Sequence, residues 1–450
     1  MKNIFYCLFA CTVLLAGCTK KTDDIFDKPV DERLSETLTN YQTTLTTAPG
    51  WKLFVYPKGL EKQDIKVGGF TYYVKFTNTN RVTMVSDFTT AIAATPKESG
   101  YRLKALQRPS LIFDTYTYMH IPADPDPNVS FSPTQSGGYG YGTDFNFSFK
   151  EVTPKDTMYL EGNFNKSAAV LVKATQEEMD LAFTKGRLKD IINFSYAYQT
   201  NNPFLYFPAS AGLNVGVGFD FNNTLITFSY LEGTALVNKT EKFSFTTYGI
   251  HLGSAVKIGN YTFHDIYWDD TKKIYYIQSG GTRVEFANSA TPLISLPLTN
   301  IIGSTYTTIS VPNDAGLPNE SPLFITKYNA AKAGIAGMLA PPINLTLDDM
   351  DFIFNASAKS MTLNAYLLQQ GTLFVAQYNY IYTVDAAGLF KFTKTTQNGN
   401  AAAVVTHMNN ILTYIESDQF KIDGISTSVG FLGVFTSRQT PTFYFSGNLY

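Results

Sequence analysis

The sequence predicts a mostly β protein with a few helices, of the α+β class. Antiparallel hairpin-built sheets are expected, as repeated β modules of sandwich or barrel type. Three observations carry that expectation. Phe and Tyr number 35 and 29 in 450 residues and threonine recurs throughout, while charged residues make up only 16%. Such β-branched and aromatic side chains fit a pleated, half-buried surface. Several stretches alternate apolar and polar residues around polar turns, the period of a strand hairpin. Helical spacing is confined to a few segments.

The chain opens with an apolar run, Ile4 to Ala16, behind Lys2. It is shorter than the ~20 residues a membrane-spanning helix needs and fits the h-region of a signal peptide. It ends in Leu15-Ala16-Gly17-Cys18, which matches a bacterial lipobox. Cys18 is expected to take the lipid and become the first residue of the mature chain. All three cysteines, Cys7, Cys11 and Cys18, lie in this leader. The body therefore offers no disulfide framework, thiolate metal site or cysteine nucleophile. Asp23 and Asp24 follow the cysteine closely, which favours the outer face of an outer membrane. The only membrane contact expected is the lipid anchor.

Residues 19 to 28 read as a tether. Val30, Leu34, Leu38, Tyr41 and Leu45 then form one stripe at helical spacing. Asp27 is placed as its N-cap, Pro29 in its first turn, and Pro49-Gly50 ends it. Trp51, just beyond, reads as core. Hairpins follow at Tyr72 ("YYVKFTNTNRVTMVSDF"), Val217 ("VGFDFNNTLITFSY") and Tyr378 ("YNYIYTVDAAGLFKFTK"), a weak internal repeat. Between the first two lies one helix, "ATQEEMDLAFTKGRLKDIINF", with a capping box at Thr175 and Glu178 and a weak middle at Gly186. "VPNDAGLPNESP" from Val311 reads as a linker, and "AVVTHMNNILTYIESDQF" as a late helix. The resulting division is a signal peptide over 1–17, a lipidated tether over 18–28, and an N-terminal β-rich domain with flanking helices over 29–198. A second β module spans 199–310, and a C-terminal β-rich module with one helix spans 311–450.

The net charge is −2 with no Lys/Arg cluster, which argues against nucleic acid as a partner. The four histidines, His120, His251, His264 and His407, show no metal-ligand spacing. "ADPDPNVS" places Asp124, Asp126 and Asn128 two residues apart, like the opening of a calcium loop. Val129 and Gln135 depart from that pattern, and Pro125 and Pro127 also explain the stretch as a rigid loop. No cofactor is required; calcium is the one candidate. "GGYGYG" at 137–142 lacks the lysine of a phosphate loop. Its Tyr139 and Tyr141, with Trp268, are the candidate ligand-binding aromatics, able to stack on a sugar ring. Asp269-Asp270 and "LDDMD" supply paired carboxylates, but neighbours on a strand point to opposite faces. No nucleophile elbow or dinucleotide fingerprint occurs, and no catalytic residue is assigned.

The stretches "FDKPVDERLSETLTNYQTTLTTAPGWKLFVYP", "YYVKFTNTNRVTMVSDF", "TPKESGYRLKALQRPSLIFDTYTYMHIPADPDPNV" and "GTDFNFSF" resemble a family of Bacteroidota lipoproteins that carry a domain of unknown function. The likeness covers most of residues 26 to 200. Similar proteins tend to be encoded beside starch-utilisation-system-like outer-membrane transporters, substrate-binding lipoproteins and a zinc metallohydrolase lipoprotein. The resemblance implies a place in nutrient uptake, with the transporter and the substrate-binding lipoprotein as partners. It carries over no functional residue. The leading expectation is a non-catalytic accessory or binding lipoprotein that captures a glycan or peptide. The alternatives are a hydrolase with an unsigned carboxylate site and a purely structural, protein-binding subunit.

Overall fold

The computed structural model describes residues 28–58, 67–131, 138, 140–151, 153–210, 212–233, 235–313, 316–339 and 343–450. Cys18, the tether up to residue 27 and the expected cap Asp27 lie outside the described residues. The described chain is mostly β, with antiparallel pairing throughout its three sheets.

A helix, α1 (Val30–Thr47), precedes eight strands: β1 (Gly50–Tyr56), β2 (Phe70–Phe76), β3 (Arg81–Ser86), β4 (Lys97–Ala105), β5 (Pro109–Phe113), β6 (Asn146–Phe149), β7 (Thr157–Gly162) and β8 (Ala168–Ala174). Each pairs with the next, and β1 pairs with β8 from Gly50–Ala174 to Tyr56–Ala168, closing a barrel. An eight-stranded barrel leaves an interior that side chains alone can fill. Trp51, Leu53 and Val55 of β1 alternate into it with Tyr72, Val74 and Phe76 of β2. Helix α1 stoppers one end. Its Tyr41 stacks on Phe149 at 3.8 Å between ring centroids, and the Leu45 carbonyl accepts the Trp51 indole N–H at 3.0 Å. Only Tyr41 and Leu45 of the predicted stripe are fully buried; Val30 is 67% exposed. The first half of the helix thus runs past the sheet it seals. Two short helices, α2 (Thr90–Ala94) and α3 (Pro127–Ser130), decorate the barrel's loops.

The single helix expected over 174–194 is two: α4 (Gln176–Phe183), which starts with the capping box at Thr175 and Glu178, and α5 (Arg187–Asn201). Gly186 sits between them at φ 63°, a left-handed conformation that ends one helix and turns the chain into the next. Helix α5 buries Leu188, Ile191, Ile192 and Tyr198 in the core of the second sheet.

That sheet holds β9 (Leu205–Ser210), β10 (Leu213–Asp220), β11 (Leu225–Glu232), β12 (Ala235–Thr246), β13 (Gly249–Ile258), β14 (Tyr261–Asp269), β15 (Ile274–Ser279), β16 (Thr282–Glu285) and β17 (Ala287–Asn288). The segment 282–288 pairs through β16 with β15 and through β17 with β9, so this meander also comes round on itself. The third sheet contains β18 (Ser295–Pro297), which pairs with β24, and β19 (Thr308–Val311), β20 (Leu345–Asn355), β21 (Ser360–Gln369), β22 (Thr372–Val384), β23 (Phe390–Gln397), β24 (Gln419–Thr427), β25 (Gly430–Ser437) and β26 (Tyr444–Leu449). Pairing of β26 with β19 and of β25 with β24 returns this ring to its start. Helices α6 (Pro322–Ala336) and α7 (Gly399–Ser417) cover it and share its core.

The three hairpins read from the sequence are β2–β3, β10–β11 and β22–β23. The first two hold the same ordinal place in their barrels; the third does not.

The barrels pack flank to flank. Outward-facing residues of β2 meet β12: Thr71 donates to Ser244 at 2.7 Å, and the Thr247 backbone N–H donates to the Tyr73 hydroxyl at 3.0 Å. On the far side of the second barrel, the Phe219 N–H donates to the Ser428 carbonyl at 2.7 Å. A Cβ at Gly218 would fall 2.6 Å from the Gly430 Cα, so glycine there permits backbone-to-backbone approach. Among the described residues, no helix is long and apolar enough to cross a membrane.

Candidate functional site: an aromatic cleft between two barrels

Where the first barrel meets the second beside α5, a cavity of about 440 Å³ opens. Seven aromatic side chains line it: Phe70, Phe88, Phe131, Tyr141, Tyr196, Phe221 and Phe245. They form a nearly continuous surface. Phe70 meets Tyr141 edge-on at 5.5 Å, Phe88 stacks over Phe131 at 6.3 Å, and Tyr196 tilts against Phe221 at 4.6 Å. Phe131 and Tyr196 stand at the mouth, 64% and 45% exposed.

The one carboxyl group among the described lining residues is Asp87, which is 8% exposed. Its two oxygens accept the backbone N–H groups of Thr71 and Phe245, each at 2.8 Å. These bonds come from different barrels, so Asp87 clamps the interface as well as lining the cleft. Burial pushes its carboxyl up to about 7 against the pull of those N–H donors. Desolvation disfavours the charged form, and here it outweighs hydrogen bonding.

Two sequence motifs build the cleft's outer wall together. In "GGYGYG", Gly138, Gly140 and Gly142 all have left-handed φ (64°, 54°, 63°). A Cβ on Gly140 would lie 2.5 Å from the Pro122 carbonyl, so only glycine lets this loop press on residues 122–124. The Tyr141 N–H donates to that same carbonyl at 2.6 Å, and its hydroxyl donates to the Phe131 carbonyl at 2.9 Å. Phe131 itself adopts left-handed backbone (φ 53°) at the C-cap of α3, a conformation uncommon for a non-glycine residue.

Of the residues singled out in the sequence, Tyr141 lines the cleft, while Tyr139 lies outside the described residues. Trp268 is elsewhere: it is buried beneath α5, stacked on Phe194 at 5.5 Å and edge-on to Tyr275 at 5.1 Å. In "DPDPN" both Asp124 oxygens and one Asp126 oxygen bond to the chain itself. Asp124 Oδ1 accepts the Asp126 N–H, and Asp126 Oδ1 accepts both the backbone and side-chain N–H of Asn128, at 2.9–3.0 Å. Asp126 thereby caps α3 and Asp124 takes the Tyr116 hydroxyl. Among the described residues, no group of three or more His, Cys, Asp or Glu side chains is placed to hold a metal.

The paired carboxylates are likewise engaged. Asp269 caps its turn and pairs with Arg283, Asp270 pairs with Arg187, and Asp348 and Asp349 accept from Asn313. Glycoside hydrolysis by two facing carboxylates needs both at one cavity; the described lining of the cleft supplies one. The histidines are dispersed: His251 bonds to Asp265 at 2.7 Å beside His264, His120 tilts against Phe145 at 4.4 Å, and His407 packs at Gly334.

Comparison with protein families gives a match over residues 22–270 to one described as "Domain of unknown function (DUF4302)". The chain belongs to this family. The match takes in the first barrel, α4, α5, the second barrel through β14, and every described residue lining the cleft. The third barrel of this DUF4302 protein lies beyond the matched residues. No curated protein matches the chain. Among solved structures, it is similar to isotype 1 transferrin binding protein B from serogroup B Neisseria meningitidis, with 8% identity and a TM-score of 0.14 over 89% of this chain and 73% of that one. A likeness at that level carries no argument.

Proposed function

We propose that this protein is a binding component of a nutrient-uptake system, held at the outer membrane by lipid on Cys18, and that the aromatic cleft captures its ligand, a glycan or a peptide. The supporting observation is the cleft: a concave, preformed, largely aromatic surface with a few polar groups, Asp87, Thr89, Thr90, Asn222 and Thr224, which is the usual form of a small-molecule site. Phe131 and Tyr196 remain exposed at its mouth, where burial by a ligand would be favourable. Capture near a transporter needs no chemistry, because tethering to one membrane raises the local concentration. The outer-membrane transporter and the substrate-binding lipoprotein are the proposed partners.

The test is calorimetric titration of the purified protein with neutral oligosaccharides and with short peptides. One class binds, and both Phe131→Ala and Tyr196→Ala weaken it about tenfold, equivalent to about 1.4 kcal/mol. Absence of binding by either class, or affinity unchanged in both variants, would overturn the reading in favour of a structural subunit.

A further inference from the structure

The charge of the cleft between the first two barrels is one-sided. No Lys, Arg or His stands among its described lining residues, whereas Asp87 does. Asp87 is held by backbone N–H groups and makes no ion pair among the described residues. The other titratable groups around it are hydroxyls. Burial pushes those of Tyr56, Tyr72 and Tyr73 up, so all three stay neutral. A second acid lies near the mouth. Burial, and after it the charge of Asp220, pushes the Tyr196 hydroxyl up. Asp220 itself accepts the backbone and side-chain N–H of Asn223 at 3.0 and 2.7 Å and meets no cation among the described residues. A buried carboxylate is costly unless it is paired.

The rings supply the other half of a cation site. Tyr141 stands edge-on to Phe70 and to Phe88, at 71° and 86° between planes. Phe221 tilts against Tyr196 and Phe245, at 44° and 36°. Crossed rings offer π-faces in more than one direction. An ammonium within about 6 Å of such a face is attracted by the ring's quadrupole, and aromatic cages hold cations in this way. A neutral ligand would gain burial from the rings but leave the acidic charge unanswered.

We propose that the cleft recognises a primary ammonium group on its ligand, held among the aromatic rings with Asp87 as its counter-charge. This rests on the reading of the cleft as the ligand site and names the chemistry that site selects. Capture of the cation is coupled to a proton. The Asp87 carboxyl, pushed up to about 7 by burial, is largely protonated in the free protein below that pH. A bound ammonium favours the carboxylate, so binding there releases the proton and affinity rises with pH. An ammonium of this kind is carried by a lysine-bearing peptide or by an amino sugar.

Calorimetric titration of the purified protein with two matched pairs tests it. One pair is a capped pentapeptide with a central lysine and its acetyl-lysine form; the other is the glucosamine hexamer and chitohexaose, its acetylated form. At least one ammonium form binds about tenfold more tightly than its acetylated partner, and the pair that does so tells a peptide source from an amino sugar. Between about pH 5.5 and about pH 7.5 its affinity rises more steeply in the wild type than in Asp87→Asn, which cannot ionise. Tyr196→Leu keeps apolar bulk at an exposed position and weakens the ammonium form about threefold. Equal binding within each pair overturns the ammonium site and leaves the cleft to neutral ligands. The same pH slope in the wild type and Asp87→Asn overturns it as well. Binding by none of the four also overturns it, and the neutral oligosaccharides and peptides of the preceding test then decide separately whether the cleft binds at all.

Discussion

Urea titrations at a series of pH values are expected to show the protein losing stability as pH rises, with Asp87→Asn losing far less. The Asp87 carboxyl shifts from an ordinary 3.8 to about 7 on folding because burial disfavours its charge. Across that interval the folded chain holds a proton that the unfolded chain has released. The contribution is therefore complete below the unfolded value and is lost as pH climbs through the folded one. A shift of this size corresponds to about 4 kcal/mol. Asparagine has nearly the same shape and cannot ionise, so the variant's pH curve should be flatter between these limits. Its amide must oppose one of the two N–H donors, from Thr71 or Phe245, so its stability at low pH falls below wild type. Parallel curves for the two proteins would show that Asp87 is not the titrating group.

The second large effect is at Trp51. Its side chain is 0% exposed in the first barrel, and its indole N–H ties β1 to the last turn of α1. Trp51→Ala leaves a void in a closed interior that neighbouring strands cannot collapse to fill. Truncations of this kind cost about 3–5 kcal/mol. The lost hydrogen bond also frees the stopper, so limited proteolysis should cut within residues 30–47 before the barrel unfolds. A loss of under about 1 kcal/mol, within the range of ordinary surface changes, would contradict the packing described.

Much of the local structure was legible because it rests on nearest neighbours in sequence. The hairpins at 72, 217 and 378 announced themselves by alternation, the helix start at Thr175 by its capping box, and Trp51 by following the stripe that ends at Leu45. Closure was not legible. It depends on β1 meeting β8 and on 282–288 meeting both β15 and β9, pairings between segments far apart in the chain. Helix α6 buries one face, Phe324, Tyr328, Ala331 and Ile335, but exposed Ala330, Ala333 and Ala336 on its other side weaken the apolar contrast by which a stripe is read.

The site was legible only in part, for the same reason. Tyr141 stood out because alternating glycines around it imply a tightly turned loop, and three of them do take left-handed backbone. Asp87, Phe131, Tyr196 and Phe221 sit on separate elements and share no local pattern. Alternating oxygens at 124, 126 and 128 suggested calcium, yet the same spacing suits consecutive side-chain-to-backbone turns, and that is how the chain uses it. Residue type alone marks Trp268 as a candidate; burial under α5 makes it core.

The central claim is that the cleft between the first two barrels receives the ligand. A crystal structure of the protein with its tightest-binding glycan or peptide tests this most directly. The account predicts ligand density against Phe131, Tyr141 and Tyr196, with a polar group within hydrogen-bonding distance of Asp87. Well-ordered ligand bound elsewhere, with the cleft holding only water, would contradict it.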